Sequence, residues 1–106
     1  MMRQVRHSIL FAVGWLTAIA GAQSLEEGFA APPHDAKPQT WWHWMNGNVS
    51  KEGITADLEA MAEVGLGGAQ IFDAGCGIPA GPVAFNSPEW FDAVAHAAKE
   101  ARRLGL

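Results

Sequence analysis

Two apolar runs, each followed by a stripe of apolar residues at helical spacing, limit this chain more than any other feature. Residues 41–45 (Trp41-Trp42-His43-Trp44-Met45) and residues 66–72 read as strands, and the segment after each reads as a helix. The order is β-α-β-α. Connections of this length exclude hairpins and suit parallel strands joined by crossover helices. Two such units cannot cover both faces of a parallel sheet. The pattern is that of an α/β protein that needs several more strands, either an open doubly wound sheet or a (β/α)8 TIM barrel of which these are the first two β-α units, truncated; a whole barrel takes about 250 residues and the chain has 106.

Local signals place the elements. Asn46-Gly47-Asn48 closes the first strand with residues that tolerate the left-handed backbone of a turn. Ser50 caps a helix expected to run to about Val64, with Ile54, Leu58, Met61 and Ala62 as its apolar stripe and Gly65 as its stop. Residues 66–72 carry small and apolar side chains on both parities, which predicts a strand buried on both faces, with Asp73 at its exit. The Gly- and Pro-rich residues 74–86 are long for a plain connection. Ser87-Pro88-Glu89 then starts a second helix as N-cap, first-turn proline and first-turn acid. Phe91, Val94, Ala98, Ala101 and Leu104 are its expected buried stripe, and Gly105 closes it.

Upstream, Arg3 and Arg6 precede an apolar stretch over residues 9–20, and Ala20-Gly21-Ala22 supplies small residues at a cleavage point. This layout predicts a secretory signal over residues 1–22, cut after Ala22, and export to the periplasm or the cell exterior. An apolar run of about a dozen residues falls short of the roughly 20 that span a bilayer, so no stable membrane anchor is expected after cleavage. Residues 23–40, with Pro32, Pro33 and Pro38, read as an extended lead-in to a partial catalytic domain over residues 41–106. Seven Lys and Arg against eleven Asp and Glu give a net charge of −4 and no basic run, hence no electrostatic footprint for nucleic acid. The one cysteine, Cys76, excludes a disulfide framework and a Cys-based zinc site.

The densest chemistry lies in the first strand and its turn. Alternation puts Trp42 and Trp44 on one side of the strand and Trp41, His43 and Met45 on the other. Any single Trp is most simply core, but three within four residues, followed by side-chain amides, is the mixture a carbohydrate pocket requires. Flat rings take the C–H faces of sugars, and Asn or His bonds the hydroxyls. Asp73, at the matching end of the second strand, either accepts N–H bonds from its own loop or holds a sugar hydroxyl or a cation such as Ca²⁺. Gln70 and His96 read as structural. Glu52, Glu59 and Glu63 lie on a helix and Glu89 at a helix start, so no catalytic acid or base is assigned. Gly75-Cys76-Gly77 with Gly81 does not make a dinucleotide fingerprint, because the spacing is wrong and Pro79 stands where a helix would begin.

Several strings here, Trp42-His43-Trp44-Met45-Asn46-Gly47-Asn48-Val49, Gly53-Ile54, Asp57-Leu58, Gly67-Gly68-Ala69-Gln70 and Ser87-Pro88-Glu89-Trp90, together resemble the opening of the catalytic domain of the α-L-rhamnosidases of glycoside hydrolase family 106. The resemblance covers residues 29–106. It implies an exported enzyme with a (β/α)8 barrel that hydrolyses α-L-rhamnosyl linkages in rhamnose-containing oligo- or polysaccharides with inversion, helped by calcium. It further implies an acid and base pair of glutamates on later strands, outside these 106 residues, so the chain alone is expected to be inactive. The roles carried over are substrate-binding ones for His43, Trp44, Asn46, Asn48 and Asp73; the metal ligands are left open. The alternative is a small exported carbohydrate-binding or interaction protein that uses the Trp cluster without catalysis.

Overall fold

The computed structural model describes residues 24–106. The predicted signal segment lies outside them. In chain order come a short helix α1 (Leu25–Ala30), a single 3-10 turn (His34–Ala36), strand β1 (Gln39–Met45), helix α2 (Lys51–Glu63), strand β2 (Gly68–Ala74) and helix α3 (Pro88–Leu104). β1 and β2 pair in parallel, with Trp42 opposite Ile71, His43 opposite Phe72 and Trp44 opposite Asp73. The β-α-β-α order and the parallel pairing agree with the sequence.

Both long helices begin where side chains can satisfy their free N–H groups. Ser50 accepts from the Gly53 amide at 3.1 Å and Ser87 from the Trp90 amide at 3.2 Å. The end of α2 explains a boundary that the sequence reading misplaced. The Gly65 amide donates to Ala62 and the Leu66 amide to Met61, with Gly65 at φ +85°. That double closure consumes Leu66 in the helix stop, so β2 runs over Gly68–Ala74 rather than residues 66–72. The lead-in is likewise not wholly extended. Ser24 and Glu27 cap each other reciprocally at 3.0 and 3.1 Å and start α1.

The core lies on one side of the sheet. Trp42, Trp44, Ile54, Leu58, Ala93 and Ala97 are buried, and Ile71, Met61, Trp90 and Leu104 pack against them. Of the expected α3 stripe, Val94, Ala101 and Leu104 pack against the core, but its most buried residues are Ala93 and Ala97, and Phe91 is 55 % exposed. Trp90, Ala93, Ala97 and Ala101 follow helical spacing as well as the expected set did, and the docking of α3 on Trp44 decides between them. The far side of the sheet is open, with Trp41, His43, Met45, Gln70 and Phe72 all exposed. β2 is thus covered on one face, not on two. The helices are joined to each other by a Lys51–Asp92 ion pair at 2.6 Å and by Arg103, which reaches Glu59 at 2.8 Å and Glu100 at 2.7 Å.

Candidate functional site

The alternation of β1 divides its aromatic rings by task. Trp42 and Trp44 point to the helices, their rings edge to face at 5.5 Å, and Trp42 donates its indole N–H to the Asp57 carboxylate at 2.9 Å. Trp44 is 1 % exposed and meets Trp90 at 6.2 Å. Trp44, to which the resemblance assigns a substrate-side role, is thus buried among α2, α3 and β2, on the side of the strand away from His43. On the open side, Trp41 and Phe72 stack with centroids 5.6 Å apart and planes 10° apart. His43 stands edge-on to Phe72 at 5.3 Å, with its imidazole exposed. The flat aromatic surface beside His43 is formed by Trp41 and Phe72, neither of which is among the expected substrate-side residues. Sequence alternation had already grouped Trp41 with His43. Phe72 joins them through strand pairing, which no local signal in the chain specifies.

Asp73 is also on the helix side. It is the second-last residue of β2, opposite Trp44 at the C-terminal ends of the two strands, and lies on the other face from His43. One of its oxygens, Oδ2, is buried without a hydrogen-bond partner among the described residues, and the same holds for the indole N–H groups of Trp44 and Trp90. His43 and Asp73 therefore do not converge on one face.

The two asparagines do come together, in the turn that leaves β1. Asn46 and Gly47 have φ of +47° and +75°, the type I′ pattern that Asn-Gly favours, and the Asn48 amide closes the turn on Met45 at 3.1 Å. Their side chains face the β2–α3 loop. Asn46 Nδ2 donates to the Ile78 carbonyl at 2.7 Å, and Asn48 Nδ2 donates to the Met45 and Pro79 carbonyls at 2.7 and 2.9 Å. Beside this turn a cleft of about 400 Å³ opens along β1 and the start of α2, lined by Trp42, Trp44, Asn48, Gly53, Asp57 and Pro82 among others. Asp57 was given no role by sequence reasoning; its contact with Trp42 identifies it as an orienting residue of the core.

No group of three or more His, Cys, Asp or Glu that could hold a metal forms among the described residues. Ca²⁺ takes about six to eight oxygen ligands. Asp73 with one buried oxygen does not make such a site. The shifted carboxylates lie on the helices: Glu52 is held below the ordinary carboxylate range by its own backbone N–H at the start of α2 and by Ser50, and Glu100 by the Arg103 guanidinium.

Comparison with known proteins gives this geometry its context. The α-L-rhamnosidase family model of glycoside hydrolase family 106 matches residues 30–106. A protein of Formosa agariphila, provisionally named a beta-glucuronidase, is 56% identical over 82 residues, a match that covers 77% of this chain and 7% of that protein. The solved rhamnosidase of Novosphingobium sp. PP1Y is 51% identical with a TM-score of 0.71, covering 78% of this chain and 8% of that one. The chain thus spans less than a tenth of the length of either relative. With its family model spanning residues 30–106, the chain belongs to the α-L-rhamnosidase family of glycoside hydrolases.

Proposed function

We propose that this chain is the opening β-α-β-α segment of the catalytic barrel of an exported α-L-rhamnosidase, and that its open sheet face contributes to the sugar site of the longer protein. The observation that carries this reading is the stacked Trp41–Phe72 pair with an exposed His43 at its edge. A deoxy sugar presents C–H faces and a methyl group to rings and hydroxyls to an imidazole, and both are offered here. The 51% identical rhamnosidase structure supports the substrate class. Inversion requires an acid and a base about 6.5 to 9.5 Å apart with a water between them. Those carboxylates come from later parts of the longer protein, as do the ligands of any calcium. Residues 1–22 direct export, which sequencing of the mature N-terminus tests.

The provisional name of the Formosa agariphila relative favours a second reading, a glucuronide substrate. A glucuronide carries a carboxylate and calls for a cation at the site. Among the described residues, the open-face strand positions Gln39, Trp41, His43, Met45, Gln70 and Phe72 include no Lys or Arg. The test is an assay of the longer protein on aryl α-L-rhamnoside and aryl β-D-glucuronide, each with and without a chelator. Release from the rhamnoside alone is the expected result, reduced by the chelator. Release from the glucuronide alone rejects the rhamnoside reading.

A further inference from the structure

The residues from Gly75 to Val83 do more than join β2 to α3, because they are tied back onto the turn after β1 from both sides. Four hydrogen bonds cross between them: Asn46 Nδ2 to the Ile78 carbonyl at 2.7 Å, Asn48 Nδ2 to the Pro79 carbonyl at 2.9 Å, the Gly81 amide to the Asn46 carbonyl at 2.8 Å and the Val83 amide to the Gly47 carbonyl at 3.2 Å. The backbones approach so closely that no side chain fits between them. A Cβ on Gly47 would lie 2.1 Å from the Val83 carbonyl oxygen, and one on Gly81 would lie 2.3 Å from the Gly47 carbonyl oxygen. Asn48 spends both amide protons on this arrangement, one on its own turn and one on the loop.

We propose that Asn46 and Asn48 are positioning residues, and that their clamp makes the β2–α3 loop a preformed wall of the sugar site, not a lid that closes on substrate. The proposal rests on the α-L-rhamnosidase reading for its ligand. Its geometry stands apart from that reading. In parallel α/β folds the site lies at the C-terminal ends of the strands, which is where Ala74 hands over to this loop and Met45 to the turn. The carbonyls of Ile78 and Pro79 are each turned toward the asparagines by the bond they accept. What the wall offers a ligand is accordingly its apolar segment of Ile78, Pro79, Ala80 and Pro82, a surface suited to the C–H side of a deoxy sugar.

Two variants loosen the clamp from opposite sides. Asn48→Asp keeps the shape and removes the donors; Gly81→Ala adds one methyl against backbone at a glycine whose φ is not in the left-handed region. In the longer protein, hydrogen exchange at Gly81 and Val83 should accelerate in both variants. KM for an aryl α-L-rhamnoside should rise about fivefold for Asn48→Asp, the loss expected of one net hydrogen bond, with kcat little changed, because a wall contacts ground state and transition state alike. Asn48→Ser, which restores a donor, should recover part of that loss. Unchanged exchange in both variants overturns the clamp. Faster exchange with unchanged KM overturns the wall, and a fall in kcat at constant KM does the same, since it makes the loop a transition-state element. A wild type that does not cleave the rhamnoside rejects the activity reading, while the exchange measurement still decides the clamp.

Discussion

At the scale of single residues, two neighbouring indoles are separated by one hydrogen bond. Trp42 donates to Asp57, whereas the Trp44 N–H is buried without a partner among the described residues. Replacing each by Phe removes similar apolar area, but only Trp42→Phe gives up a bond to a carboxylate. In urea unfolding, Trp42→Phe is expected to cost about 1 kcal/mol more than Trp44→Phe. Trp44→Ala, which empties a site 1 % exposed, should cost about 3 to 5 kcal/mol. Equal costs for the two Phe variants would show that the Asp57 contact contributes nothing. The period-two rule already placed Trp41 and His43 together and Trp44 apart from them. It does not say which side the helices cover, because that depends on where α2 and α3 dock. The shift of β2 by two residues puts Asp73 one residue inside the C-terminal end of the strand, on the helix side with Trp44.

At the scale of elements, legibility followed capping chemistry. α2 and α3 were readable because Ser50, Ser87, Pro88 and Gly105 each satisfy or exempt a terminal backbone group. α1 was missed although Ser24 and Glu27 hold the spacing of a capping box, since three prolines downstream dominated the reading. Ser87→Ala should lower the stability of the longer protein by about 1 kcal/mol through loss of the bond to the Trp90 amide. The α3 surface also carries a pH dependence of known sign. Arg103 holds the Glu100 carboxyl below the ordinary carboxylate range, so the contribution of Glu100 is present above that range and is lost as pH falls through the lowered value. The thermal midpoint of Glu100→Gln should therefore lie slightly below wild type at neutral pH and converge with it as the solution is acidified. The Arg103 side chain is about half exposed, so high salt should shrink the neutral-pH gap. A gap that widens in acid would reverse the assigned sign.

At the scale of the whole molecule, two parallel strands with both helices on one side leave the other side of the sheet unpaired. Trp41 at 67%, Phe72 at 46% and Met45 at 44% exposure form one apolar face. Such a face needs cover, by further strands of a longer chain or by association. The 106-residue chain by itself is expected to bind a hydrophobic dye and to self-associate, while the longer protein does neither; a monomeric, dye-silent short chain would show that this face is content in water. The parallel order was legible in the sequence because it rests on hydrophobic period, whereas the one-sided core was not, since small and apolar residues on both parities of β2 predict cover on both faces. The joining of loop to turn was not, because hydrogen bonds between residues more than 30 positions apart leave no local trace. The account as a whole turns on which face of β1 meets the sugar. The measurement that decides it is kcat/KM of the longer protein on an aryl α-L-rhamnoside for His43→Ala and Trp44→Phe, both checked for folding. The account predicts a fall of about tenfold or more for His43→Ala, the loss of a hydrogen bond to substrate, and a value within about twofold of wild type for Trp44→Phe. A folded His43→Ala protein with wild-type kcat/KM, beside a Trp44→Phe protein that has lost turnover, would contradict it.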